Sequence, residues 1–218
     1  MRKQHQATMD KERGSYCSLI EPSEGLYKEK GSKFIALAFP VSREEEITPI
    51  LEQVRKQYHD ARHHCYAWRL GAEGEPYRIN DDGEPSGSAG KPIHGQMLSM
   101  GMSDILVIVV RYFGGTKLGV GGLVNAYRGA TRDALEKANP LPKAVRARFG
   151  FHFPYPKMNE VMRFLRENKL ETEYTDFRLE CRITAHCSLD KAESIEVAAR
   201  NFYGVEWERM EDKVYSLK

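Results

Sequence analysis

Residues 103–132 constrain the fold of this 218-residue chain more than any other stretch. An unbroken apolar run, Ile105 to Val110, is typical of a strand that is buried on both faces. It leads into five glycines within nine residues, Gly114 to Gly122, where a helical pattern of apolar residues begins. The sequence therefore predicts a buried strand, then a glycine loop (residues 114–122) and the start of a helix.

The glycine loop is suited to close contact with a partner. Glycine permits positive φ and has no Cβ, and a helix N-terminus carries a partial positive charge. The pattern favours an anion, a phosphate backbone or a tightly bound partner; the alternative is a turn that needs glycine only for its own geometry, beside solvated charges. The residues assigned to this site are Arg111, Tyr112, Gly114, Gly115, Lys117, Gly119, Gly121, Gly122, Arg128 and Arg132, together with Lys91 and His63.

Common cofactor and metal motifs are missing. A Walker A motif needs a Gly-Lys pair followed by Ser or Thr, and the dinucleotide motif needs a third glycine where this chain has Val124. The four cysteines form no C-x-x-C pair, so neither a zinc ribbon nor a redox dithiol is indicated. We therefore expect no cofactor, no metal and reduced, mostly buried thiols.

Two histidines and an acidic loop form the second candidate site. His63 and His64 are adjacent on a predicted strand, so they point to opposite faces and do not form a metal pair. A catalytic His63 would need a carboxylate partner, for which Asp81, Asp82 and Glu84 are the candidates. These acids belong to the acidic loop, residues 81–92, which also carries Ser86 and Ser88 between glycines. The alternative is an ordered loop that binds through its backbone or covers the core.

Aromatic residues beside arginines offer a possible stacking surface. Tyr112 and Phe113 follow the buried strand, and Tyr66 and Trp68 are two apart on one face of another strand. Such residues are used to bind single-stranded nucleic acid, and they are equally used in cores.

The length of the chain and the positions of its prolines predict two domains of an α+β protein. Pro140-Leu-Pro142 follows a long helical pattern and should end it in an extended connector, giving domains 1–140 and 145–218. In the first domain we expect strands over 25–41 and 63–70, a Ser42–Glu45 capping box opening a helix that Pro49 kinks or delays, and a helix after Pro92. The second domain has the pattern β-α-β-β-α-β of a ferredoxin-like fold, with Asp190 and Glu193 capping its second helix.

Charge and hydropathy restrict the partners. The net charge is +2, and the basic and acidic residues are balanced in both halves, so nucleic-acid binding would need a local basic patch. No window of 18 apolar residues occurs, and residues 1–14 lack an apolar signal segment, so we expect a cytoplasmic protein without membrane contact.

Four segments resemble the IMPACT/YigZ family in order and spacing. They are Lys30-Gly-Ser-Lys-Phe-Ile-Ala36, Ala61-Arg-His-His-Cys-Tyr-Ala-Trp-Arg69, residues 81–92 and residues 103–132. The resemblance is close to full length, and within it His63 matches the family's Ala-x-His motif.

The resemblance implies a fold and a function. It implies an N-terminal domain like domain IV of elongation factor G (ribosomal S5 domain 2-like) and a C-terminal domain like that factor's ferredoxin-like C-terminal domain. Eukaryotic IMPACT restrains a starvation-sensing translation kinase by competing for its ribosome-associated activator, so we expect a non-catalytic partner of RNA, the ribosome or a ribosome-associated protein. The alternative is a small hydrolase of a phosphorylated or peptide-like metabolite that uses His63, Asp82 and Glu84 with the glycine loop.

Overall fold

The computed structural model describes residues 13–177 and 179–217. Its contacts divide the chain into a first unit, Tyr16–Pro142, and a second unit, residues 13–15 with 143–217. Both units combine helices with antiparallel sheet, as expected of an α+β protein. Within the described ranges, no helix combines the length and apolar character needed to span a membrane.

The first unit is built on a five-stranded antiparallel sheet in the order β2-β3-β6-β4-β5. Helix α1 packs on one face of this sheet, and helices α2 and α3 pack on the other. The elements are β1 (Ser15–Leu19), β2 (Ser23–Glu29), β3 (Ser32–Pro40), α1 (Ile47–Gln57), β4 (His63–Arg69), β5 (Tyr77–Asn80), α2 (Gly90–Ser99), β6 (Ile105–Tyr112) and α3 (Gly119–Lys137).

Strand β6 lies at the centre of this sheet and is buried on both faces, as its apolar run predicts. Ile105, Val107 and Val109 pack against α2 and α3, whereas the alternating residues of the strand pack toward α1. Each of these buried aliphatic side chains contributes about 1.5–3 kcal/mol of transfer free energy. The strand is therefore a rigid support for whatever follows its carboxyl end.

Helix α1 begins differently from the prediction. Ser42 pairs with Glu46 and not with Glu45: its backbone N–H donates to one carboxylate oxygen at 2.9 Å and its hydroxyl to the other at 3.0 Å. The extra residue is taken up by a short 3-10 turn, Glu44–Glu46, before the α-helix. Pro49 falls in the first turn of α1, where a missing N–H breaks no helical hydrogen bond, so the helix continues to Gln57.

Two further predictions of local structure were inexact. Strand β5 was not predicted from the sequence, and α2 starts at Gly90, before the predicted start, with Pro92 in its first turn. Pro140 and Pro142 do not form a separate connector, because they are the first residues of the long strand β7. Proline is compatible with the first residues of a strand, where it removes few ladder hydrogen bonds.

The second unit follows the predicted order β-α-β-β-α-β. Its strands pair antiparallel in the order β10-β7-β9-β8, and alternate residues of β7, Phe149, Phe151 and Phe153, bury their rings against the helices. The predicted Asp190 cap is wrong, because Asp190 lies in a 3-10 turn and α5 has no side-chain cap. The elements are β7 (Pro140–Pro154), α4 (Met158–Glu167), β8 (Glu171–Phe177), β9 (Glu180–Ser188), α5 (Ala192–Arg200) and β10 (Glu206–Ser216).

Candidate functional site

Several loops of the first unit meet at the carboxyl end of β6. Strand register places His63, the first residue of β4, opposite Arg111 near the end of β6. The acidic loop reaches the same place, since Glu84 pairs with Arg111. The turn between β2 and β3 also arrives there, because Gly31 lies against Gly114. Two of the predicted sites are therefore neighbours in the fold.

A buried carboxylate joins these segments. Glu84 accepts a hydrogen bond from Arg111 Nη1 at 2.5 Å and from the Tyr127 hydroxyl at 2.9 Å. The side chains of Arg111 and Glu84 are only 9% and 3% exposed. Burial raises the pKa of Tyr127, and its neighbours Cys65 and Glu84 raise it further, so the phenol stays protonated and donates. The network ties β6, the acidic loop and α3 into one rigid assembly.

Arg111 differs from its predicted role as a surface cation. Its guanidinium lies 5.5 Å from the centre of the Phe34 ring and 5.8 Å from that of Phe113, in addition to its ion pair with Glu84. The burial of Arg111 could be inferred from the alternation of side chains along a strand, because Arg111 shares its strand face with the buried Val109. Tyr127 was not predicted as a residue of the site, since an aromatic residue at helical spacing is typical of a core.

Asp81 organises the acidic loop internally. Its carboxylate accepts hydrogen bonds from the amides of Gly87, Ala89 and Gly90 at 2.8–3.0 Å. Burial would raise the pKa of Asp81, but these three donors, together with the nearby charge of Lys91, outweigh it and hold the pKa below its usual range. The N-terminus of α2 is thus already occupied by a carboxylate from the chain itself.

Each side chain of the hydrolase alternative has another partner: His63 and Asp82 form hydrogen bonds with the backbone, and Glu84 is held by Arg111 and Tyr127. His63 Nδ1 donates to the Asp82 carbonyl oxygen at 2.8 Å, while the Asp82 carboxylate accepts from the backbone N–H of His64 at 2.7 Å. His64 faces the other way, with Nε2 3.1 Å from the Tyr58 carbonyl oxygen. In the part of the chain that the structure describes, no hydrogen bond or ion pair joins the His63 ring to a carboxylate. His63, Asp82 and Glu84 are close in the fold without forming a catalytic set.

The other polar candidates of the acidic loop have structural contacts. The Ser88 hydroxyl is buried and donates to the Pro85 carbonyl oxygen at 2.6 Å, while Ser86 is exposed. Burial raises the pKa of the Cys65 thiol to about 12, and its Sγ lies 3.0 Å from the Asp81 carbonyl oxygen. Residues 13–177 and 179–217 contain no cluster of His, Cys, Asp and Glu suited to hold a metal ion.

The structural requirement for glycine differs among the positions of the glycine loop. A Cβ on Gly114 would lie 1.9 Å from the Gly31 carbonyl carbon, so that position needs glycine for close backbone packing. Gly115 and Gly119 adopt φ of +87° and +71°. At Gly121, by contrast, φ is ordinary and a Cβ would meet no atom within 4 Å. The fold itself therefore does not require glycine at position 121, and the space beside Gly121 is empty.

Backbone donors of the glycine loop are open to solvent. None of the hydrogen bonds found in the described ranges uses the amides of residues 115–118, and residues 113–117 are exposed. Helix α3, which follows, has neither an acidic residue in its first turn nor a side-chain cap. Lys117 adds an exposed cation. The positive end of a 19-residue helix is thus left uncompensated.

A groove between α2 and α3 carries further positive charge. It has a volume of about 540 Å³, and its two cations, Lys91 and Arg128, are exposed and make no ion pair within the described chain. Arg132, one turn further along α3, pairs with Glu136 at 2.6 Å. The groove residues are Gly87, Lys91, Pro92, Gly95, Gln96, Ser99, Val124 and Arg128.

Only one of the four aromatic candidates is available for stacking. Tyr66 and Trp68 are buried in the core beneath α1. The Tyr112 hydroxyl donates to Asp60 at 2.8 Å, and burial together with this carboxylate raises the pKa of Tyr112 to about 12. The Phe113 ring, 58% exposed, stands at the edge of the glycine loop.

Comparison with known proteins places this site in a matched domain. Residues 30–135 match the Impact N-terminal domain. The chain is 41% identical over 142 residues to "IMPACT family member in pol 5'region" of Thermus thermophilus, covering 65% of this chain and 76% of that protein. It is 37% identical over 134 residues to "IMPACT family member YigZ" of Escherichia coli K12, covering 61% of this chain and 66% of that protein. A crystal structure described only as that of a hypothetical protein is 28% identical, with a TM-score of 0.61 over 91% of this chain and 98% of that one.

Proposed function

The chain belongs to the IMPACT family, and on that premise we propose that its first unit binds the phosphate backbone of RNA. The proposed surface, the basic face, consists of the glycine loop and the groove between α2 and α3. In this proposal the protein acts in the cytoplasm, where it regulates translation through contact with RNA of the ribosome and performs no catalysis.

The observation that carries the proposal is a local group of unpaired cations. Lys91, Lys117 and Arg128 are exposed, and in the described part of the chain none of them pairs with a carboxylate. Unpaired cations release counterions from a nucleic acid, whereas cations held by acids contribute little. Since the net charge is only +2, RNA binding in this proposal depends on the grouping of these three cations on one surface.

The neighbouring groups supply the rest of a nucleic-acid site. The amides of residues 115–118, which have no partner in the described chain, suit phosphate oxygens, and the space at Gly121 allows a backbone to approach closely. Phe113 offers one ring on which a base can stack. Arg111 has a positioning role here, because its ion pair with Glu84 anchors the strand from which the glycine loop departs.

The proposed folds of the two units support a role in translation. We propose that the first unit has the fold of elongation factor G domain IV and that the second unit is ferredoxin-like. Support for the second assignment comes from its β-α-β-β-α-β order and its sheet order β10-β7-β9-β8, which is 4-1-3-2 within the unit. An elongation-factor-like pair of domains is suited to ribosomal RNA by analogy.

The proposal is tested with a triple variant, Lys91→Ala, Lys117→Ala and Arg128→Ala. Binding of a short fluorescein-labelled single-stranded RNA is followed by fluorescence anisotropy at constant, moderate salt. Loss of three phosphate contacts should weaken the affinity by about tenfold or more. Circular dichroism and urea unfolding verify that the variant keeps its fold, as expected for exposed side chains.

A matched control removes the same charge elsewhere. Arg43, Lys56 and Arg163 are exposed and lie outside the basic face, so replacing all three with alanine should change the affinity less than threefold. Equal losses in both triple variants would mean that only net charge matters. Unchanged affinity in the basic-face variant would reject the proposal, and a ribosome-associated protein would become the better candidate partner.

The hydrolase alternative has a separate test. It depends on His63, whose Nδ1 is held by the Asp82 carbonyl oxygen, which leaves Nε2 as the nitrogen that could accept a proton. A screen of phosphate esters and peptides should find no turnover above a blank in the wild type. Turnover that His63→Ala abolishes would establish the alternative in place of the RNA proposal.

A further inference from the structure

Arg69, the last residue of β4, is a buried cation without a counter-ion. The residue is 8% exposed, and its one hydrogen bond in the described part of the chain is a long one, from Nη2 to the Glu73 carbonyl oxygen at 3.4 Å. Its Nε is buried and has no partner there. Burial lowers the pKa of Arg69, and no carboxylate opposes this effect. Burying a charged group without a counter-ion is unfavourable, so the isolation of Arg69 needs an explanation.

His94, on α2, presents a second unsatisfied nitrogen beside it. Its Nε2 is buried and has no hydrogen-bond partner in the described chain. Arg69 and Tyr77 are register partners on β4 and β5, and His94 stacks on the Tyr77 ring, so the two groups lie close together. Burial lowers the pKa of His94, and the nearby charge of Arg69 lowers it further. The imidazole is stacked on the Tyr77 ring, with centroids 4.6 Å apart and planes within 13° of parallel. Stacking fixes the ring and therefore the direction of its Nε2.

The segment from residue 71 to residue 76 covers Arg69 without neutralising it. A Cβ on Gly74 would lie 1.6 Å from Arg69 Nη2, so the bare backbone rests directly on the guanidinium. Glu73 and Glu75 belong to this segment, but both are exposed and neither forms an ion pair within the described residues. The chain thus encloses the cation while its own acids stay in solvent.

We propose that Arg69 and His94 form a binding site for a small oxyanion, a carboxylate or a phosphate, beneath residues 71–76. A guanidinium presents its N–H groups as a fork that matches two oxyanion oxygens, and a neutral imidazole can donate a further hydrogen bond through Nε2–H. The site is distinct from the basic face, because neither Arg69 nor His94 lines the groove between α2 and α3, and Arg69 lies about 20 Å from His63, at the other end of β4 from the glycine loop.

The test is titration of the full-length protein with sodium phosphate and, separately, sodium acetate. Sodium chloride at equal ionic strength is the reference. Two-dimensional ¹H–¹⁵N spectra report the Arg69 Nε–H signal, which is assigned by its loss in Arg69→Met. We expect a saturable shift of this signal and a rise of several degrees in Tm with at least one oxyanion. The oxyanion that binds more tightly shows whether the site prefers a phosphate or a carboxylate.

Variants separate binding at the site from general salt effects. Arg69→Met should abolish the Tm response while remaining folded, because removing an unpaired buried charge relieves its desolvation cost. His94→Gln should weaken binding by about threefold to tenfold, the value of one hydrogen bond. Glu73→Gln combined with Glu75→Gln should leave the response unchanged.

Three results would overturn the proposal. One is the absence of any saturable shift with either oxyanion, which would indicate that an ordered water satisfies both nitrogens. Another is an equal response to chloride, or one that persists in Arg69→Met. The third is an Arg69 signal that moves in the Glu73→Gln, Glu75→Gln protein without added anion, since the counter-ion would then be internal.

Discussion

At the scale of single residues, the buried carboxylate of Glu84 connects separate elements of the first unit. Its carboxylate is 3% exposed and serves two donors, Arg111 and the Tyr127 hydroxyl, from different elements. Buried ion pairs stabilise a fold only weakly compared with apolar packing, yet breaking one leaves an uncompensated charge. The pair therefore holds the acidic loop and β6 in a fixed relation, which is what a preformed binding surface requires.

Arg111→Met should lower the free energy of unfolding by about 3–5 kcal/mol, because it leaves Glu84 buried and unpaired. Adding Glu84→Gln should recover a large part of this loss, since the remaining buried group is then neutral. Urea unfolding of the two single variants and the double variant measures the coupling.

RNA affinity distinguishes this positioning role from direct contact. The Arg111→Met, Glu84→Gln double variant should bind RNA with the affinity of the wild type, because it loses no phosphate contact. A loss as large as that of the Lys117→Ala variant would show that the guanidinium touches the ligand.

At the scale of elements, the glycine loop joins β6 to α3 and contains two positions with opposite expectations. Gly114→Ala would drive a methyl into the Gly31 backbone and should destabilise the protein by about 1–3 kcal/mol or more. Gly121→Ala meets only open space in the first turn of α3 and should stabilise it by about 0.5–1 kcal/mol.

The informative readout is RNA binding by the stable variant. If a phosphate backbone approaches Gly121 closely, the Gly121→Ala protein should be more stable in urea and bind RNA severalfold more weakly. Tighter or equal binding by this variant would place the ligand elsewhere on α3.

Elements were predictable where local pattern and burial agree. The apolar run of β6 indicated burial on both faces, and the alternating and helical patterns of the second unit predicted its order. Strand β5 was missed because Gly74, Pro76 and Gly83 around it are typical of loops.

The candidate site was less accessible from sequence, because its contacts are long-range. The contacts Glu84–Arg111 and Asp81–Gly90 depend on how the acidic loop folds back over β4 and β6, which no local pattern encodes. The exposure of Lys91, Lys117 and Arg128 could be anticipated from their polar positions. Their lack of acidic partners could not.

At the scale of the whole molecule, the total charge is nearly balanced, and the cations differ in whether an acid pairs with them. Arg132, Lys137 and Arg163 each pair with an acid on their own helix. The cations of the basic face are without such partners in the part of the chain that the structure describes. A molecule of this kind should have little general affinity for polyanions and should bind RNA through one surface.

The most direct measurement is the salt dependence of RNA binding by the wild type and the Lys91, Lys117, Arg128 triple-alanine variant. In a plot of the logarithm of the association constant against that of the salt concentration, each phosphate contact on single-stranded RNA contributes a slope of about −0.7. We predict that Lys91, Lys117 and Arg128 contact phosphates, so that the triple variant's slope is shallower by about 2, whereas the Arg43, Lys56, Arg163 control keeps the wild-type slope. Parallel lines for the wild type and the basic-face variant, with both proteins folded, would contradict it.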